Sequence, residues 1–260
     1  MSMEILVPVK MIPDLAEELE IDASGKALDR SFLKLRLNEF DEHALEEALL
    51  LKEKHGGRVT VVALDAPDVD EALFTGLAKG ADRIIKITGV PEDGLSSHQM
   101  ARTLAAVIGA IPYDLILTGV QSAEDRDGQL GPLLASALGL PHVSVVSSVE
   151  PAEGGKAVVV RQEYAGGVMA EMEMDLPALV GVQAAQQSPR YASVSKVRQM
   201  MKTAKIEEIA SPSVEASADS DVLRLFKPEA AGRAEMIEGS PDEIADKLYA
   251  LFGEKGLVHG

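Results

Sequence analysis

Residues 115–135 carry the clearest chemical meaning in the chain. The stretch runs Leu115-Ile-Leu-Thr-Gly-Val-Gln121, then Ser122-Ala-Glu-Asp-Arg-Asp-Gly-Gln129, then Leu130-Gly-Pro-Leu-Leu-Ala135. It reads as a strand, a polar loop and a helix whose start is marked by Gly131 and Pro132. Gly128 and Gly131 let backbone amides face outward at the positive end of that helix, where unpaired N–H groups and the dipole attract anions. In an open parallel sheet, ligands also sit beyond the carboxyl ends of the strands. Because Glu124, Asp125 and Asp127 are acidic and only Arg126 is basic, a phosphate here must be held mainly by amides. There is neither a GxGxxG nor a P-loop, and a plain surface loop fits these residues equally well.

A second segment, Leu37-Asn38-Glu39-Phe40-Asp41-Glu42, places a polar cap residue and an aromatic before a helix. Helix capping with Phe40 as a staple accounts for it without any ligand. Pro8 is equally well explained as the end of a first strand. The five histidines are scattered without metal-ligand spacing. No Ser/His/Asp constellation suggests itself, so a hydrolase has no motif to stand on.

The elements around these segments follow from hydrophobic pattern. Short β-branched runs at 4–10, 58–64, 82–87 and 114–118 read as buried strands, each separated from the next by enough chain for a helix. Helices are expected over 41–55, capped by Asn38 and stopped by Gly56-Gly57, and over 72–79 and 97–110. Strand alternating with helix means a parallel sheet with helices on both faces, a Rossmann-like arrangement. After Pro141, four strands (142–149, 156–164, 167–174 and 177–182) have only turns between them, so the sheet is expected to end in antiparallel pairs. Residues 161–168 read as a hairpin. From Ser188 the periodicity fades into a basic stretch (Lys196, Arg198, Lys202, Lys205) and a polar segment, 210–221. This is expected to be an extended arm, ending in a helix over 242–252 capped by Ser240 and Pro241. The expected division is a nucleotide-binding α/β domain, 1–187, and an arm, 188–260, that needs another surface to lie on.

Composition narrows the function classes. With 260 residues, 46% hydrophobic but only 3% aromatic and no Trp, the core must be Val, Ile, Leu and Ala. A net charge of −17 repels phosphate backbones and anionic lipid, so neither nucleic acid nor a membrane surface is an expected partner. Zero Cys excludes disulfides and Cys-ligated metal in this chain. Residues 1–9 have neither a basic region nor a long apolar one, so a soluble cytoplasmic protein is expected.

Taken in order, these segments resemble the beta subunit of electron-transfer flavoproteins over nearly the whole chain. The matching motifs are Val7-Pro8-Val9-Lys10, Asn38-Glu39-Phe40-Asp41, Gly80-Ala81-Asp82-Arg83, Gly119-Val-Gln-Ser122, Leu176-Pro177-Ala178 and Pro189-Arg190-Tyr191-Ala192-Ser193. The tail 232–239 is similar to the branch of methylotrophic bacteria, whose partner is an amine dehydrogenase. The resemblance implies a heterodimer that carries electrons and catalyses nothing alone: an alpha subunit holds the redox-active FAD and this chain holds AMP. Electrons would come from an amine or acyl-CoA dehydrogenase and pass to a membrane quinone oxidoreductase. Carried over by residue, AMP contacts fall on Pro8, Asn38, Glu39, Phe40, Asp41 and Asp65. The rest of the site is the loop Gly119, Val120, Gln121, Ser122, Ala123, Glu124, Asp125, Arg126, Asp127, Gly128, Gln129, Leu130, Gly131. Arg190, Tyr191, Ala192, Ser193 and Val194 correspond to the family's partner-recognition loop, with Val194 at its hydrophobic anchor.

The sequence also departs from the family. Ser195 stands where many members have proline, and Leu15 replaces an aromatic near the flavin in some. The loop lacks the Asp-Cys-Asn-Gln-Thr-Gly run of AMP-binding forms, while Gln129-Leu130-Gly131-Pro132 resembles bifurcating forms that hold a second FAD instead. A nucleotide-binding stress-type protein shares the α/β layout but would normally show a glycine-rich phosphate loop.

Overall fold

A computed structural model of the chain describes residues 3–90, 95–125, 127–212, 222–228, 232 and 236–258. Arg126, most of the polar segment 210–221 and residues 233–235 of the tail lie outside them. The chain opens with β1 (Glu4–Val9), β2 (Met11–Pro13), β3 (Leu35–Leu37), α1 (Glu39–His55), β4 (Arg58–Leu64) and α2 (Val69–Lys79). It continues through β5 (Arg83–Thr88), α3 (Ser97–Ile108), β6 (Leu115–Gly119), α4 (Leu130–Leu138), β7 (His142–Pro151) and β8 (Ala157–Tyr164). After a 3-10 turn (Ala165–Gly167) come β9 (Val168–Asp175), β10 (Ala178–Val182), α5 (Val194–Thr203), β11 (Glu207–Ala210) and α6 (Pro241–Glu254).

Nine strands form one sheet in the order β11-β5-β4-β1-β6-β10-β7-β8-β9. Alternation along the strands builds a core on each face. Ile5, Val7 and Val9 of β1 point to one side, where Ala44, Leu45, Ala48 and Leu49 of α1 and Leu73 of α2 cover them. Leu6 points to the other side and meets Leu104 and Ile108 of α3 and Leu134 of α4. The expected parallel sheet with helices on both faces is therefore present.

Two findings differ from the pattern-based reading. Within the nine-stranded sheet only β7, β8 and β9 pair antiparallel, while β2 and β3 form a separate antiparallel pair; β10 lies between β6 and β7 and runs parallel to both. Its five residues, Ala-Leu-Val-Gly-Val, are all buried, the unbroken apolar run of a strand covered on both faces. The basic stretch after Ser188 is also structured: it forms α5, whose one buried residue is Val197, and then β11. Arg83 with Glu207, and Lys86 with Glu208, pin β11 parallel to β5, while Lys86 also reaches Asp70 of α2. Val197 and, beside it, Met200 fasten α5 to the core.

Residues Met1–Leu223 form one compact unit and Arg224–Gly260 a second. In the second, Ser240 caps α6 and Glu243 reciprocates, with Pro241 in the first turn. Its Tyr249 and Phe252 are exposed.

Candidate functional site at the carboxyl ends of β1 and β6

The chain leaves β1 for β4 and β5 on one side and returns to β6 on the other. The carboxyl ends of β1 and β6 thus flank the point where strand order reverses, where open α/β sheets form a crevice. Asp41, in the first turn of α1, ties the crevice together. Its Oδ2 accepts the Lys10 amide at 2.9 Å and its Oδ1 the Gly119 amide at 3.1 Å. One carboxylate thereby joins the ends of β1, β6 and α1. It is only 6% exposed. Burial pushes its pKa up to about 6, against the opposing pull of the Lys10 amide, the Asn38 side chain, the Lys10 charge and the Gly119 amide.

That shift has a defined sign. The folded carboxyl holds its proton to about pH 6 and the unfolded one to 3.8, so the folded state binds more protons between those values. Stability from this group should rise as pH falls from about 6 towards 4, by on the order of 3 kcal/mol. Urea midpoints across that range, compared with Asp41→Asn, isolate it from the other carboxylates. Parallel profiles in the two proteins would count against it.

The loop after β6 closes onto the same point. Asn38 occupies the N-cap position of α1, yet its side chain makes no cap. Instead Nδ2 donates to the Gln121 carbonyl at 2.9 Å, linking the two segments that the sequence singled out. Lys10 Nζ lies 2.6 Å from Glu124 and 3.3 Å from the hydroxyl of buried Ser122. Ser122 Oγ also accepts the Asp125 amide. Asp125 in turn accepts the amides of Gln129 at 3.1 Å and Leu130 at 2.9 Å. The head of α4 therefore does hold an oxyanion, supplied by its own loop. Gly128, at φ +64°, lets the loop turn and its amide bonds the Asp125 carbonyl.

The remaining expected site residues divide by position. Pro8 is buried in β1, Phe40 is half-buried and Glu39 exposed at the start of α1, and Val120 donates its amide to Val182. Ala123 is half-buried and Asp127 exposed in the loop. Gly131 is buried, surrounded by Thr118, His142 and Leu179, so it brings α4 close to the sheet. Asp65 is exposed just past β4, its amide on Ile87, outside the hydrogen-bonded network of the crevice. Lys10 is not among the expected contacts, although its ammonium pairs with the loop carboxylate of Glu124.

A family model described as "Electron transfer flavoprotein domain" matches residues 27–214, which includes α1, the loop and the whole sheet after β3. The chain belongs to the electron transfer flavoprotein family. It is 37% identical to the electron transfer flavoprotein subunit beta of Methylophilus methylotrophus, over 97% of this chain and 98% of that protein. The subunit beta of Bradyrhizobium diazoefficiens is 32% identical over 98% of this chain and all of its own length. At 32% identity and the same coverage, the chain is also similar to the caffeyl-CoA reductase-Etf complex subunit CarD of Acetobacterium woodii. Among the described residues, no helix is long and apolar enough to cross a membrane, and no cluster of His, Asp and Glu is placed to hold a metal.

In this electron transfer flavoprotein chain, the far face of α1 grips the segment leading to the expected recognition loop. His43 Nδ1 accepts the Ala185 amide at 3.2 Å. Glu47, fully buried, accepts the amides of Val149 at 2.9 Å and Gln186 at 3.1 Å, and the Gln186 side chain at 2.9 Å. Glu46, 3% exposed, accepts from three donors of Arg190: its amide at 2.9 Å, Nε at 2.9 and 3.0 Å to the two oxygens, and an Nη at 2.8 Å. Glu53 takes the other edge of the guanidinium, and these two carboxylates hold Arg190 further above its already high pKa. Arg190 is thus committed to α1. Ala192 packs on the core, Ser193 caps α5, and Tyr191 and Val194 are the outward residues at 84% and 56% exposure.

Proposed function

We propose that the chain is the nucleotide-holding beta subunit of a heterodimeric electron transfer flavoprotein, a cytoplasmic carrier with no catalysis of its own. It holds AMP in the crevice while an alpha subunit holds FAD, the group that takes up and releases electrons. The observation behind this reading is the convergence of Lys10, Asn38, Asp41 and the Gly119–Leu130 loop at the reversal of strand order. We assign the adenine and ribose contacts of the nucleotide to Pro8, Asn38, Glu39, Phe40, Asp41 and Asp65. The amides now on Asp125 suit its phosphate. A phosphate at those amides takes them from Asp125, whose like charge must move aside. Tyr191 to Val194 meet the electron donor, an amine or acyl-CoA dehydrogenase, and a membrane quinone oxidoreductase accepts the electrons.

A second reading, a bifurcating-type subunit with a second FAD in the crevice, is favoured by the likeness to the caffeyl-CoA reductase-Etf subunit and by Gln129-Leu130-Gly131-Pro132. Extracting and identifying the nucleotides of the co-expressed heterodimer separates the two. One AMP and one FAD per heterodimer is the expected result. Two FAD would favour the second reading, and no adenine nucleotide beyond one FAD would remove the site.

A further inference from the structure

Asp125 uses all of its polar groups to hold the crevice loop shut. Its amide donates to Ser122 Oγ at 3.1 Å, its carbonyl accepts the Ser122 and Gly128 amides, both at 3.2 Å, and its carboxylate accepts the amides of Gln129 and Leu130. This is not ordinary capping, in which the N-cap side chain itself accepts an amide of the first turn. The N-cap residue of α4 is Gln129, whose side chain makes no such bond, and the acceptor folds back from earlier in the loop. Two oxygens of one anion thus meet two successive amides at the positive end of the helix, the arrangement a phosphate would make there.

Behind the closed loop, two polar atoms are left over. Thr118 Oγ1, on a residue 2% exposed near the end of β6, and Nε2 of His142, at the start of β7, are buried and make no hydrogen bond among the described residues. Both face the head of α4: a Cβ on Gly131 would lie 3.3 Å from the hydroxyl and 3.2 Å from the ring nitrogen. Buried polar groups are rarely left unsatisfied, because each costs its full desolvation. Two of them around one glycine mark a place built for a partner that the closed loop withholds.

We propose that Asp125 is an internal competitor for the phosphate of the nucleotide: its carboxylate latches the empty crevice, phosphate enters only by displacing it, and the Thr118 hydroxyl then donates to the incoming group. The proposal rests on the functional reading above and adds control of exchange to it. Until the ligand arrives, the latch keeps the amides at the head of α4 satisfied. The apparent affinity for a phosphate-bearing ligand is the intrinsic one reduced by the fraction of chains with the latch open. Adenosine has no phosphate, so it enters without disturbing the latch and carries no such penalty.

The test uses the co-purified heterodimer, stripped of adenine nucleotide with activated charcoal, and reads AMP and adenosine binding by calorimetry. Asp125→Ala should tighten AMP about tenfold and leave adenosine within about twofold of wild type. Asp125→Asn keeps an acceptor for one amide but loses the charge; it should tighten AMP by less, and it serves if the alanine variant does not fold. Thr118→Val should weaken AMP several-fold without changing adenosine. In stopped flow, the rate of AMP association should level off at high AMP in wild type, because opening limits it, and rise in proportion to AMP in Asp125→Ala. Weaker or unchanged AMP binding in the Asp125 variants, or parallel changes for AMP and adenosine, overturn the proposal and leave the functional reading standing. Unchanged AMP affinity in Thr118→Val overturns the part given to that hydroxyl. A wild-type heterodimer that binds neither AMP nor adenosine removes the functional reading and the proposal together.

Discussion

Gly119→Ala should unfold the head of the crevice and strip the heterodimer of its nucleotide. A Cβ at this position would lie 2.7 Å from Phe40 Cβ and 2.8 Å from the Asp41 amide nitrogen, and would also meet Asp41 Oδ1. Two of these contacts involve the backbone or Cβ of α1's first turn, so no side-chain rotation relieves them. Either β6 or the start of α1 must shift, and the Gly119–Asp41 hydrogen bond goes with it. Overpacking typically costs 1–3 kcal/mol, and a lost bond to a charged group adds about 1.5–3. A total of about 4 kcal/mol lowers Tm by roughly 8–16 °C in a unit of this size. Adenine nucleotide recovered from the purified heterodimer should fall well below wild type. Wild-type nucleotide content with an unchanged Tm would show that the first turn of α1 moves freely, against the packing described.

Arg190→Met should be of similar size for the opposite reason, the loss of a partner. Glu46 is buried and receives hydrogen bonds from three donors of Arg190, two of them on the guanidinium. Removing that group leaves a buried carboxylate with only the backbone amide, a situation that costs about 3–5 kcal/mol. Amide hydrogen exchange should accelerate through 190–196, and reduction by a partner dehydrogenase should slow because Tyr191 and Val194 no longer have a fixed presentation. In the double variant Arg190→Met/Glu46→Met much of the stability should return, since no charge is stranded. A single variant with wild-type Tm and exchange would make the contact ornamental, and additivity in the double would mean the two side chains act separately.

How far the sequence speaks depends on how local each signal is. The parallel strands and the faces of α1 are legible because β-branched runs and helical spacing are properties of a few consecutive residues, and the loop at Gly119 follows from turn chemistry at the same range. The direction of β10 is not, because Ala178–Val182 pairs with β6 and β7, far away in the chain. Glu46 and Glu47 read as solvated charges on a helix. What makes them internal are amides at 149, 186 and 190, contributed from beyond β6. In the crevice, Asn38 reads as a helix cap from its neighbours alone. Its side chain is drawn to Gln121, 83 positions later, and no local rule contains that bond.

The insertion of β10 beside β6 also sets an order of events during synthesis. Once β1, β4, β5 and β6 have emerged from the ribosome, they can assemble, with β6 paired to β1 on one side. Its other edge stays bare until Ala178 arrives to pair with Leu115. At roughly 5–20 residues per second that wait lasts several seconds, long compared with collapse of a chain this size. An unpaired, largely apolar edge held open for so long is a template for strand addition by other chains. The nascent half-sheet is therefore the species that a chaperone has most reason to shield, well before any subunit partner is available to cover the finished surface.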